Sequence, residues 1–143
     1  MSMSVDTLEL VTALFRLCKR SAAWYARCNT GVTDAAAKAQ LRSIQLQRAR
    51  FASALEAVLW RAGGEVDSAS EMVALEEDGG DLAERCAAHE ETVVAGYRAV
   101  IDRGLDAHLE PLVLSQFEQV IDGCESMRLA GIRYSERSDL RAA

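Results

Sequence analysis

Acidic side chains at helical spacing are the residues of this chain whose types could support metal chemistry. Glu118, Asp122 and Glu125 recur at steps of four and three, so a single helix would place them on one face. Glu56 and Glu90 lie on two other predicted helices. Helical bundles that bind two iron ions use a Glu from each of two helices and a Glu-x-x-His motif from each of the other two. These five carboxylates are therefore the candidate ligands of a site for iron or another divalent metal.

The histidines do not complete that ligand set. His89 has Cys86 three positions before it, where the motif needs a Glu, and His108 lies in a link between helices. The first predicted helix offers only Glu9, near its end. Carboxylates without imidazole partners favour a hard, weakly held cation. We therefore expect no assembled di-metal centre and no cofactor, and keep a metal-dependent oxidase or oxygen-handling protein as an alternative.

Two charged residues occupy positions where an apolar side chain is expected. Arg48 lies on the apolar stripe of the second helix, and Glu90 continues the stripe of the third helix between Cys86 and Val93. Because a charge withdrawn from water costs several kcal/mol unless it is paired, we predict a buried Arg48–Glu90 pair that fixes the register of the helices. The alternative is a rotation of about 40 degrees that turns His89 inward and lets Arg48 reach solvent.

The four cysteines are expected to be free thiols. None belongs to a CxxC pair, and disulfides are rare in cytosolic proteins. Cys86 and Cys124 lie on apolar stripes and should be buried, whereas Cys28, near the first loop, should be accessible. Cys18 and Cys124 are the redox candidates, which makes a thiol-based redox sensor a second alternative function.

The elements that must position these residues are four amphipathic helices in a single domain that covers residues 1–143. Asp6, Asp81 and either Thr33 or Asp34 are the predicted N-caps of the first three helices, and Pro111 fits the first turn of the fourth. The helices are predicted at about 6–28, 34–62, 81–103 and 111–135, with an acidic connector at 63–80 and a frayed tail at 136–143. This pattern predicts an all-α, up-down-up-down four-helix bundle.

Composition narrows the class of protein. Half of the 143 residues are hydrophobic, 6% are aromatic, and one is proline, which favours helices over a sheet. The net charge is −6, and seven acids with no Lys or Arg fall between Glu65 and Asp81. A nearly neutral body with an acidic connector matches neither nucleic acid nor an anionic membrane. Without a signal peptide or a membrane span in the sequence, we expect a soluble, cytoplasmic protein.

Four segments of the chain, taken in order, resemble a known family. They are LCKRSAAWYARC, QRARFASALEAVLWRAGGE, CAAHEETVVAGYRAVI and VLSQFEQVIDGCESMRLAG, with matches at Arg48, Phe51, Gly63-Gly64-Glu65, Cys86, Glu90, Tyr97 and Gln116. Together they are similar to the bacterial ferritin-like four-helix bundles catalogued as domain of unknown function 2383. The resemblance implies a ferritin-like fold and no particular activity. The family usually has acids where this chain has Ala22-Ala23, and often a histidine at the position of Cys124.

These observations favour one hypothesis over its alternatives. We interpret the chain as an uncharacterised ferritin-like bundle that acts as a structural or protein-interaction module rather than an enzyme. We expect a homo-oligomer, a dimer, with no nucleic-acid or membrane partner. Motifs of nucleophilic catalysis or phosphate binding are missing from the sequence: it has no Gly-rich phosphate loop and no GxSxG elbow.

Overall fold

The computed structural model describes residues 3–63 and 81–125. This part of the protein is all-α, with four helices and no strands. The helices are α1 (Val5–Thr30), α2 (Ala35–Arg61), α3 (Leu82–Arg103) and α4, which is helical over residues 110–125. The predicted connector beyond Gly63, the helical prediction for 126–135 and the predicted tail lie outside the described residues. None of the described helices is long and apolar enough to cross a membrane.

The helix starts are set by capping side chains. The Oδ atoms of Asp34 and Asp81 accept hydrogen bonds from the backbone N–H groups of Ala37 (2.9 Å) and Glu84 (2.8 Å), which confirms both predicted caps. The prediction of Asp6 as the first cap is wrong. The hydroxyl of Ser4 accepts from the N–H of Thr7, so α1 starts one residue earlier and Asp6 lies in its first turn.

The helix ends show one difference from the predicted bounds. α1 continues to Thr30, two residues beyond the prediction, and the N–H of Gly31 then closes it on the carbonyl of Cys28. α3 ends as predicted at Gly104, whose φ of 84° lies in the left-handed region that favours glycine. Pro111 lies in the first turn of α4, where its missing N–H leaves no intrahelical hydrogen bond unmade.

The apolar core consists of two clusters at different levels of the bundle. The larger one combines the first half of α1, the second halves of α2 and α3, and α4. Its buried members include Leu14, Phe15, Leu55, Val93, Tyr97 and Val113. The smaller cluster joins the last part of α1 to the beginnings of α2 and α3, and its buried members are Trp24, Tyr25, Cys28, Leu41, Ile44 and Cys86.

The two clusters fix the helix directions and correct the predicted topology. α2 and α3 both run from the smaller cluster towards the larger one, whereas α1 runs the opposite way. Hydrogen bonds from Ser4 to Asp106 likewise bring the start of α1 to the α3–α4 link. The up-down-up-down prediction is therefore wrong, because α2 and α3 are parallel. The prediction assumed that every link returns the chain to the same end, but α2 ends at one end of the bundle and α3 begins at the other.

Close helix packing is aided by one glycine. α1 packs against both α2 and α3, and Gly96 of α3 faces Leu17 of α1. A Cβ at position 96 would lie 2.5 Å from the Leu17 Cδ2 atom, so Leu17 would have to turn away from an alanine, and a larger residue would press the two helices apart. The side chains of α1 and α3 that lie between the clusters can therefore meet directly.

Candidate functional site

A layer of polar side chains lies between the two apolar clusters, and its centre is an ion pair. The Arg48 Nη1 and Nη2 atoms of α2 donate to the Glu90 Oε2 and Oε1 atoms of α3 at 2.8 and 2.6 Å. Arg48 is 0% exposed and Glu90 is 2% exposed. A two-pronged contact of this kind aligns the planar guanidinium with the carboxylate and fixes both side chains. The prediction that both residues lie in the interior, which rested on their positions in apolar stripes, is therefore confirmed.

The guanidinium has further partners besides Glu90. Its Nε atom donates to the Gln47 Oε1 atom at 3.2 Å, and Nη1 also donates to the Ser21 hydroxyl at 3.3 Å. The Tyr25 ring centroid lies 6.0 Å from Cζ, within the range of a cation–π contact. Burial acts to lower the pKa of Arg48, but hydrogen bonds and charge from Glu90 outweigh it and raise the pKa. The guanidinium is therefore permanently charged.

A serine–histidine contact extends the layer from α1 to α3. The Ser21 Oγ atom lies 2.9 Å from the His89 Nε2 atom. Ser21 accepts from Arg48 and keeps its own proton and a second lone pair, so it can donate to Nε2 or accept from it according to the His89 tautomer. The imidazole stacks on Trp24, with centroids 4.2 Å apart. Burial lowers the pKa of His89 to about 4, so the neutral form is the stable one near pH 7.

A second chain of hydrogen bonds ties α4 to the other three helices. The Tyr97 hydroxyl donates to the Gln116 Oε1 atom at 2.8 Å and lies 3.2 Å from the Cys18 sulfur. The Gln116 Nε2 atom donates to the Phe51 backbone carbonyl of α2 at 3.4 Å. Burial raises the pKa of Cys18 to about 11, so this thiol stays protonated. Burial also raises the pKa of Tyr97, which keeps its phenol neutral.

The candidate metal ligands do not converge. Glu118, Asp122 and Glu125 are exposed on α4, and Glu56 is only half-buried on α2. Both carboxylate oxygens of Glu90 are already bound by Arg48. Within residues 3–63 and 81–125, no group of three or more His, Cys, Asp or Glu side chains is placed to hold a metal ion. These donors do not fit the di-metal centre of ferritin-like proteins.

The cysteines differ from prediction at two positions. Cys86 is buried as expected, and Cys18 is completely buried. The prediction that Cys28 is accessible is wrong, since α1 extends past it and packs its side chain into the smaller cluster. Cys124 was expected to be buried but is partly exposed, with its sulfur 3.9 Å from the Glu90 Oε1 atom.

Sequence reasoning missed part of the layer. Ser21 of α1 was not among the candidate residues, but it is fully buried. The available signal was its spacing: Ser21 lies three residues after Cys18 and four before Tyr25, which places it on the same side of the helix as these two residues. For the interior position, His89 was considered as an alternative to Glu90, whereas the structure uses both neighbours: Glu90 points inward and His89 lies at the edge of the core.

Comparison with known proteins gives the fold alone. No family model matches this chain, and no curated protein matches it. A solved structure of similar fold is that of a conserved hypothetical protein from Mycobacterium tuberculosis, with a TM-score of 0.72. It is 8% identical to this chain, and the match covers 89% of this chain and 98% of the other.

Proposed function

We propose that this protein is a structural or protein-interaction module, a helical bundle without an assembled di-metal centre that associates with itself. The observation that carries the proposal is the Arg48–Glu90 pair. It uses both oxygens of the one carboxylate that points into the middle of the described core. A buried carboxylate held in this way contributes to helix register and is not free to bind a metal or a substrate.

We also propose that the chain belongs to the ferritin-like bundles of domain of unknown function 2383. The matches at Arg48, Glu90, Tyr97 and Gln116 support this, because these residues form the hydrogen-bonded contacts between helices. The parallel course of α2 and α3 adds support, since it requires a crossover between two helices and ferritin-like bundles have one long crossover connection.

The alternative functions find less support in the described part of the protein. A di-iron oxidase needs inward carboxylates and imidazoles, but the α4 acids are exposed and His89 contacts Ser21 and Trp24. A thiol redox sensor needs an accessible thiolate. Of its two candidates, Cys18 is buried with a raised pKa, whereas Cys124 is partly exposed.

Self-association is favoured by apolar side chains on the outside of the bundle. Trp60 is 65% exposed and Val5 is 72% exposed. Tryptophan is enriched where proteins bind one another, and it is costly to leave in water. We propose a homodimer with no nucleic-acid or membrane partner, and the expected cytoplasmic location stays a prediction.

The mass of the protein in solution tests the proposal. It would be measured by light scattering coupled to size-exclusion chromatography, at about 100 μM chain, with and without a chelator. We expect the mass of a dimer in both conditions. A dimer that falls apart in the chelator would show that a metal holds the assembly. A monomer in both conditions would remove the support for a self-associating module.

A further inference from the structure

One side of the bundle is formed by the outer surfaces of α1 and α2. α1 packs against α2 and α3, and Gln116 of α4 contacts α2 and α3. The Phe51 carbonyl, which accepts from Gln116, marks the direction from α2 towards α4. At about 100° per residue, the exposed Leu46, Ser53 and Trp60 lie about 140 to 180° around the helix from Phe51. These three side chains therefore point away from α4, on the side of α2 that adjoins α1.

The outward side of α1 is located in the same way. Leu17 contacts position 96 of α3 and so marks the direction from α1 towards α3. The exposed Val5 and Ala23 lie about 120° around the helix from Leu17, so they point away from α3. We call the surface formed by these outward residues of α1 and α2 the α1/α2 face.

Large apolar side chains are concentrated on the α1/α2 face. It holds three of the four large hydrophobic side chains that are exposed in the described part of the protein: Val5 at 72%, Leu46 at 48% and Trp60 at 65%. Val5 begins α1 and Trp60 lies near the end of α2, so both are at the same end of this antiparallel pair. Exposed apolar side chains grouped on one side, with a tryptophan among them, are typical of a protein-binding surface. The charged residues of the face, Arg16 and Arg42, are long enough to reach solvent at its edges.

The exposed stripe of α2 is symmetric about Ser53. Ala49 and Ala57 lie four residues before and after Ser53, and Leu46 and Trp60 lie seven residues before and after it. Steps of about one and two turns keep these five residues on one side of the helix, and all five are exposed. The stripe therefore has a large apolar side chain at each end and small side chains between them.

We propose that the α1/α2 face binds a second copy of this chain, with the two α2 helices antiparallel and a two-fold axis at Ser53. This inference rests on the proposed self-association and adds the surface that performs it. The axis places Trp60 of each subunit against Leu46 of the partner subunit, and Ala49 of each against Ala57 of the partner subunit. The small residues let the two helices approach closely at the centre, while the large residues enclose them at both ends. This self-complementary order of side chains is the reason to assign the face to a second copy.

The area of the face is sufficient for a specific interface. With the axis at Ser53, residues 45–61 of α2 lie opposite their own copies over about 25 Å, and α1 flanks them. Because two packed helices are about 20 Å wide, each subunit buries roughly 500 Å², or about 1,000 Å² for the pair. This total reaches the lower limit for a specific protein interface. We therefore expect a dimer that dissociates on dilution.

Charges introduced at the axis test the inference. Ser53 is exposed, so Ser53→Glu and Ser53→Lys should both fold, which circular dichroism would check. In either variant alone two like charges meet at the axis, and we expect the dimer dissociation constant to rise at least about 30-fold. Mixed in equal amounts, the introduced carboxylate meets the introduced ammonium group. We expect this heterodimer to bind at least about 10-fold more tightly than either variant binds itself, as measured by light scattering over a dilution series.

The matched controls are Ser115→Glu and Ser115→Lys, which make the same changes at an exposed serine of α4. Both should dimerise like the wild type, because Ser115 lies outside the α1/α2 face. A second measurement locates the axis without adding charge. Ser53→Cys/Cys124→Ser should form a disulfide between subunits under oxidised glutathione, because the two thiols meet at the axis, whereas Ser115→Cys/Cys124→Ser should not.

The outcomes separate this inference from the proposed self-association. A wild-type dimer that neither Ser53 variant weakens would overturn the assignment of this face and leave self-association intact. Weakening of both variants with no gain on mixing, and no disulfide at position 53, would exclude the axis at Ser53. A wild type that is monomeric at about 100 μM would refute the proposed self-association and this inference together.

Discussion

Removing the charge of Glu90 should destabilise the protein strongly. Glu90→Gln keeps the size of the side chain but leaves a guanidinium that is 0% exposed without a counter-ion. It also turns an NH2 group towards one of the two Arg48 nitrogens that donate to Glu90 at 2.8 and 2.6 Å. Breaking one partner of such a pair costs about 3 to 5 kcal/mol, a large share of the roughly 5 to 15 kcal/mol that stabilises a domain.

Urea unfolding followed by circular dichroism measures this loss. With a slope of about 2 kcal/mol per molar urea, the midpoint should fall by about 1.5 to 2.5 M. Glu91→Gln is the matched control, because it makes the same chemical change at the next, exposed residue and should leave the midpoint almost unchanged. Replacing both partners, as Arg48→Met/Glu90→Leu, should recover much of the loss. An unchanged midpoint for Glu90→Gln would show that the two residues do not pair in a dry core.

Three further predictions concern His89, the cysteines and Gly96. Burial lowers the folded pKa of His89 from 6.5 to about 4, so its contribution to stability should be constant above about pH 6.5, fall by up to about 3 kcal/mol between pH 6.5 and 4, and level off below. His89→Gln should remove this part of the pH dependence of the unfolding free energy. An identical pH dependence in the variant would count against a buried neutral imidazole. In the native protein at pH 8, a thiol reagent should modify the partly exposed Cys124 first. Cys18, Cys28 and Cys86 should react only on unfolding, because they are buried and their pKa values are raised. If mass spectrometry found Cys28 labelled first, its burial would be contradicted. Gly96→Val should lower stability by about 1 to 3 kcal/mol, because its side chain clashes with Leu17. Gly96→Ala should change stability by less than about 1 kcal/mol, because alanine favours the helix and Leu17 can turn away from it. Equal effects of the two variants would mean that α1 and α3 are not closely packed at this position.

The sequence predicted the elements and the central pair because these depend on local periodicity. Capping residues and apolar steps located α2 and α3 to within about one residue, and the two charges on apolar stripes identified the interior pair. Helix direction could not be obtained in the same way. Periodicity says which side of a helix is buried but not which way the helix runs, so α3 was placed antiparallel to α2.

The remaining errors have the same origin in contacts between distant residues. Ser21 looks like any small residue of a helix until Arg48 and His89 are placed beside it. Glu118, Asp122 and Glu125 share a face at metal-binding spacing, but the inward side of α4 belongs to Val113, Gln116 and Val120. Spacing could not distinguish an inward acidic stripe from an outward one.

The most direct test of the account is the iron content of the purified protein after loading. The protein would be incubated with ferrous iron and desalted, and iron per chain and oxygen consumption would then be measured. Because the α4 acids are exposed, Glu90 is bound to Arg48, and no three donors of the described residues converge, we predict far less than one iron per chain and no oxygen uptake above that of buffer. Retention of two irons per chain, lost on replacing Glu90 or Glu118, would contradict the account and make the protein a metal-dependent enzyme.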